Sequence, residues 1–145
     1  MGLIEKVGRG PVGLDTCVFI YFIEGDPRWS AQVTEIFRAV DAGRLVAITS
    51  GITLLETLVV PYRTGDEALA SRYEKLLRHS RGLTLVDLDA EVLRTAARLR
   101  ATHRLRAPDA LQLAAATLAG CTHFLTNDRD LPDVGNLQVV QLSDL

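Results

Sequence analysis

The sequence predicts a single α/β domain, with a mostly parallel central sheet of about five strands flanked by helices. Three observations predict it. Short apolar runs with strand character alternate with longer segments of helical periodicity along the chain. Capping residues, glycines and prolines fall at the junctions between them. The 145 residues, 48% of them hydrophobic, fit one domain large enough for a proper core.

Taken in order, the domain spans residues 1–145, and its first ten residues are expected to be loose or paired elsewhere. "VGL" (Val12–Leu14) reads as the first strand, and Asp15 can cap whatever helix follows it. From Trp29 to Ala42 a helix places Val33, Ile36, Phe37 and Val40 on one face, and Gly43 stops it. "LVAIT" (Leu45–Thr49) is the second strand. Ser50 is positioned to cap a helix through Val60, with Pro61 helping to end it. Leu69, Tyr73, Leu76 and Leu77 mark the next helix, and "LTLVDL" (Leu83–Leu88) the third strand. Asp89 can cap a helix bearing Val92, Leu93, Ala96, Ala97 and Leu99. Pro108, in a first helical turn, opens "DALQLAAATLA", which Gly120 closes. "HFLT" (His123–Thr126) and "LQVVQL" (Leu137–Leu142) complete the sheet. There is no linker, repeat or low-complexity segment.

Composition narrows the function classes. No apolar run is long enough to cross a bilayer, since even "ITLLETLVV" is short and holds Glu56. The opening residues lack the pattern of a secretory leader, so a cytoplasmic protein is expected. Cys17 and Cys121 have neither CxxC nor zinc spacing and read as reduced core residues. A net charge of −2 disfavours a broad basic nucleic-acid surface, but an acidic centre can mask local basic patches. The one local concentration of positive charge is Arg94, Arg98, Arg100, Arg104 and Arg106.

In an open parallel sheet, ligands bind beyond the C-terminal ends of the strands. Four carboxylates are expected there. Asp15 follows the first strand, Glu56 lies on the helix after the second, Asp109 opens the helix before the fourth, and Asp128 follows that strand in "FLTNDRDL". Singly, three of them have ordinary explanations. Asp15 can cap a helix, Asp109 can complement a helix dipole, and Asp128 can form a turn. Glu56 differs, because Ile52, Thr53, Val59 and Val60 surround it with a largely apolar surface. A carboxylate there needs a proton or a cation, either a buried arginine or a metal. Asp109 gains weight from its helix, where only Asp109, Gln112 and Thr117 are polar. Four hard oxygen donors without His or Cys suit Mg²⁺ or Mn²⁺.

With "LDTCVFIYFIEG", "TLLET", "RAPDALQLAAA" and "FLTNDRDL" in this order, the chain resembles the PIN-domain nucleases, particularly the VapC-type toxins of bacterial toxin–antitoxin pairs. The resemblance implies RNA hydrolysis with Mg²⁺ or Mn²⁺ held by four acids, here Asp15, Glu56, Asp109 and Asp128. Asp130 and Thr126 are auxiliary candidates. One departure is Cys17, where many relatives carry Asn, which puts a hydrogen bond from that position in doubt. The implied partners are an RNA substrate and a cognate antitoxin. Apolar residues in "VFIYFI" and at Leu69, Tyr73, Leu76 and Leu77 suggest a homodimer. Arg100, Arg104 and Arg106, close before Asp109, are candidate RNA contacts, the other explanation being a solvated helix face.

Rival assignments lack their residues. A haloacid-dehalogenase-like phosphatase wants a second Asp where Cys17 stands, and a receiver domain wants a strand-end lysine, but Lys6 and Lys75 lie elsewhere. Neither GxxxxGK[ST] nor GxSxG occurs. His79, His103 and His123 show no ligand spacing. A PIN-like domain that only binds RNA or protein stays open as the alternative.

Overall fold

In the computed structural model, which describes residues 2–145, the chain begins with a short helix, α1 (Leu3–Val7), where a loose segment was expected. Leu3 is buried and joins the core, with Ile4 and Val7 packed beside it. That anchorage holds the segment in place. Five strands follow at the expected places: β1 (Val12–Leu14), β2 (Ala47–Ser50), β3 (Leu83–Val86), β4 (His123–Thr126) and β5 (Gln138–Gln141). Between them lie α2 (Thr16–Glu24), α3 (Ser30–Asp41), α4 (Ile52–Thr64), α5 (Glu67–His79), α6 (Ala90–Thr102) and α7 (Ala107–Leu118). A 3₁₀ turn, Leu142–Asp144, comes last.

All strand pairs are parallel and the order is β3-β2-β1-β4-β5. The chain winds outward from β1 to β3, then crosses back to add β4 and β5 on the other side. The order therefore reverses between β1 and β4, and this switch point is where a doubly wound sheet opens a crevice.

The helix expected to end at Pro61 runs through it to Thr64. Pro61 removes one backbone bond, but its ring is buried, and Gly65 in the left-handed conformation (φ 72°) makes the actual stop. Ser50 ends β2 rather than capping the helix directly, although its Oγ still accepts from the Ile52 N–H at 3.2 Å. The cap expected at Asp89 forms, and Asp66 caps α5 in the same way, each side chain accepting from the backbone three residues on.

"VFIYFI" is the body of α2. Val18 and Phe19 are fully buried against Val33, Ile36, Phe37 and Val40 of α3. Leu77 and Tyr73 of α5 are likewise core, so the apolar surplus of these segments is internal packing. Exposed apolar side chains lie on α4 instead, at Leu55, Val59, Val60 and Tyr62.

The other face of the sheet carries α7. Ala110, Leu113, Ala114, Ala115 and Ala116 are completely buried, and their small size lets the helix lie close on the strands. Gly13 is part of this fit: a Cβ there would come within 2.6 Å of the Phe124 ring and 3.0 Å of the Ala116 Cβ. Because α7 runs back from the C-terminal edge of the sheet, its first turn sits at the crevice.

Candidate functional site

Asp15 directly follows β1 at the switch point and caps α2. Its backbone N–H extends the sheet ladder to Leu125 O (2.9 Å), and its side chain accepts from the Thr16 N–H at 2.8 Å. The second carboxylate oxygen accepts from the buried Thr126 hydroxyl at 2.6 Å. Thr126 Oγ1 in turn accepts from the Asp128 N–H at 3.0 Å. One threonine thus ties the ends of β1 and β4 together and sets Asp15 against Asp128. Asp128 is held further by Gln141, whose amide donates to its backbone carbonyl at 2.9 Å.

Asp128 is also a turn former, since its Oδ1 accepts from the Asp130 N–H at 2.9 Å. The turn aims Asp130 at the same opening. Asp109, Asp128 and Asp130 line a cleft of about 470 Å³ together with Arg104, Leu105, Arg106 and Leu131. A larger hollow of about 670 Å³ between α3 and α5 has Asp41 as the only carboxylate among its lining residues.

Glu56, on the second turn of α4, is half-buried, and its Oε1 accepts from the Thr16 hydroxyl at 2.7 Å. Among the described residues no arginine pairs with it, which removes the buried-arginine explanation. Asp109 does have such a partner: Arg106 Nε lies 3.2 Å from its Oδ2, with the arginine largely in solvent. Arg100 Nε donates to Leu105 O at 3.1 Å and so braces the loop that leads to α7.

The four acids share one electrostatic field. Burial raises the pKa of Asp15 above its ordinary value, the Thr126 and Thr16 hydrogen bonds oppose this, and the charges of Glu56 and Asp109 add to it. Arg106 is held in its charged form by its hydrogen bond to Asp109 and by the charges of Asp109, Asp128 and Glu56. Burial pushes the Cys17 thiol up to about 12, and Asp15 and Asp128 contribute to the rise. Cys17 is therefore a protonated thiol at neutral pH. Cys121 is buried, its thiol also raised to about 12, and both cysteines are free.

As the side chains stand, no three His, Cys, Asp or Glu among the described residues converge closely enough to hold an ion. The donor chemistry nevertheless fits a hard divalent cation. The nearby oxygen donors that carry charge are carboxylates, and the charges of Glu56 and Asp109 already disfavour ionised Asp15.

Residues that the sequence does not mark lie directly beneath. Thr16, Thr49, Thr53 and Gln112 form a buried polar lattice. Its one legible signal is Gln112, a polar residue in an otherwise apolar stretch of α7.

Residues 12–137 match the PIN domain family. No curated protein matches. Among solved structures, VapBC2 from Rickettsia felis bound to a promoter DNA fragment has a TM-score of 0.68 at 19% identity, over 90% of this chain and 97% of that one. VapC20 of Mycobacterium tuberculosis, a sarcin–ricin loop cleaving toxin, has a TM-score of 0.67 at 17% identity, over 82% and 91%. FitAcB from Neisseria gonorrhoeae has a TM-score of 0.60 at 18% identity, over 92% and 99%. These likenesses are of fold, and they agree with the parallel five-stranded sheet. With most of its length matched, the chain belongs to the PIN domain family.

Proposed function

We propose that the protein is a metal-dependent endoribonuclease and the toxin of a toxin–antitoxin pair, acting in the cytoplasm. What supports this is the Thr126 link between Asp15 and Asp128 across the switch point, with Asp109 lining a cleft beside Asp128 and Glu56 bonded to Thr16, the residue after Asp15. These four would hold Mg²⁺ or Mn²⁺, with Asp130 as an auxiliary donor. Such an ion supplies an acidified water and neutralises charge developing on the phosphate. The chain's own part is positional. Thr126 fixes Asp15 relative to Asp128, Thr16 fixes Glu56, and Arg104 and Arg106 at the cleft rim face an incoming phosphate.

Cleavage of a quenched single-stranded RNA in Mg²⁺ or Mn²⁺, stopped by EDTA, tests the reading. RNA retention without cleavage under every metal tried would select a binding domain instead, a reading favoured by the Arg106–Asp109 ion pair.

The arginines make a separate prediction. Neutralising Arg100, Arg104 and Arg106 together should weaken RNA binding and flatten its dependence on salt, the slope falling by about 0.7 for each phosphate that is no longer neutralised. Titrations at several salt concentrations read this directly. An unchanged slope assigns the three to a solvated face.

A homodimer and an antitoxin partner belong to the same proposal. VapBC2 of Rickettsia felis and a toxin–antitoxin complex of Klebsiella pneumoniae are assemblies of this fold. Since the segments first suggesting a dimer are core, the exposed stripe Leu55, Val59 and Tyr62 on α4 is the surface for self-association. Sedimentation at high micromolar concentration should show a dimer that Leu55→Glu dissociates. A native protein that sediments as a monomer there counts against it.

A further inference from the structure

We propose that Gln112 is a positioning residue that fixes the direction of a hydrogen-bond relay and thereby holds the Glu56 carboxylate in place. The consequence for metal binding rests on the function proposed above; the relay itself does not. Its direction follows from counting protons. Thr49 spends its single hydroxyl proton on Leu14 O at 2.7 Å, so towards Thr53, 2.8 Å away, it can only accept. Of the two acceptors open to the Thr53 proton, Thr49 at 2.8 Å and Thr16 at 3.2 Å, the nearer takes it. Thr16 has one proton as well, and the carboxylate of Glu56 at 2.7 Å can only accept it. Both Thr16 and Thr53 are then left as acceptors towards α7.

Gln112 meets both. Its Nε2 donates to Thr53 Oγ1 at 2.7 Å and to Thr16 Oγ1 at 3.2 Å. The orientation of the amide is not free, because its Oε1 accepts from the Ser50 backbone N–H at 3.3 Å. A backbone donor at the end of β2 therefore sets the amide, the amide occupies a lone pair of Thr16, and the Thr16 proton is directed at Glu56. Ser50, Thr49, Thr53, Gln112 and Thr16 are buried, so water does not substitute for the partners among them, and Glu56 at the end is half-buried. Gln112 lies one turn beyond Asp109 on α7 while Thr16 follows Asp15, so the relay also references Glu56 to the elements carrying two other acids.

Four variants test this, Gln112→Met, Thr16→Val, Thr16→Ser and Gln112→Met combined with Thr16→Val, each first checked for native-like melting. In metal-free protein the side-chain carboxyl ¹³C resonance of Glu56 should move in Gln112→Met and in Thr16→Val, but stay near native in Thr16→Ser, which keeps the hydroxyl. Calorimetric titration with Mn²⁺ should show affinity lowered 10- to 100-fold by either disruptive change. The double variant should be no worse than the weaker binder of the two. Added to Glu56→Gln, Gln112→Met should have no further effect. An unchanged Glu56 resonance in folded Thr16→Val and Gln112→Met proteins overturns the relay. So does an undiminished Gln112→Met effect in the Glu56→Gln background. A resonance that moves as expected in a protein that binds no Mn²⁺ upholds the relay and overturns the metal assignment instead. If Gln112→Met fails to fold, Gln112→Asn, whose shorter side chain withdraws the amide from Thr16 and Thr53, replaces it in each comparison.

Discussion

Replacing Asp109 by asparagine is expected to lower RNA cleavage by roughly 10²–10³-fold or more while the melting curve stays close to native. Asparagine keeps the shape and removes only the charge. The structural losses that follow are small. The ion pair to Arg106 has its arginine 78% exposed, so solvent screens it and its contribution is small. The favourable position of an anion in the first turn of α7 is worth about 0.3–1 kcal/mol. Against these, Asp15 gains, because one of the charges that raises its pKa disappears. Stability therefore changes by less than about 2 kcal/mol, a fraction of the about 5–15 kcal/mol typical of a domain. Hydrolysis loses a charged oxygen donor from a set that has no spare carboxylate on that helix. Single-turnover cleavage with saturating Mn²⁺, measured beside a thermal melt, separates the two effects. Undiminished cleavage by the folded variant ends the assignment of this crevice to catalysis.

The four acids are legible in the sequence because each stands at a junction that sequence marks. Asp15 and Asp128 directly follow strand runs, Asp109 opens a helix beside Pro108, and Glu56 interrupts an apolar helix face. Parallel topology then puts all four junctions on one edge, so order along the chain becomes neighbourhood in space. The lattice that supports them is not legible in the same way. Gln112 and Thr16 are 96 residues apart, and a threonine inside a helix carries no periodic signal of its hydrogen bonds. Nine-residue α2, buried on more than one side, lacks the amphipathic contrast that identifies α3 and α5, so its apolar residues read as surplus. Pro61 misleads for a local reason: its cost to a helix is counted from sequence, whereas the burial of its ring, which offsets that cost, depends on the tertiary fold. Helix α1 spans only five residues, too few for any periodicity to show.

Glu56→Gln is expected to be inactive, yet more stable than the native protein in EDTA by roughly 0.5–2 kcal/mol, and less stable than it in Mn²⁺. The glutamine carbonyl can take over the Thr16 hydrogen bond, although trading a charged for a neutral acceptor weakens it by about 1 kcal/mol. Two gains oppose that loss. A half-buried charge no longer has to be desolvated, and Asp15 is freed from one of the two carboxylate charges that raise its pKa. The pH dependence follows from the direction of that shift. A folded-state pKa above the ordinary 3.8 means that the fold is favoured while Asp15 is protonated, and that this contribution is lost as pH rises through the raised value. At neutral pH the penalty is complete, so the advantage of Glu56→Gln in EDTA is full there and shrinks on acidification as Asp15 takes up its proton. Mn²⁺ reverses the order, because an ion that binds only the folded state stabilises it by about 2.7 kcal/mol at a hundredfold excess over its Kd, and the variant has lost a donor. Thermal melts of both proteins in EDTA and in Mn²⁺, repeated between neutral and mildly acidic pH, give the four curves needed. A Glu56→Gln protein that melts below native in EDTA yet gains as much from Mn²⁺ as the native protein does makes Glu56 a purely structural acceptor for Thr16.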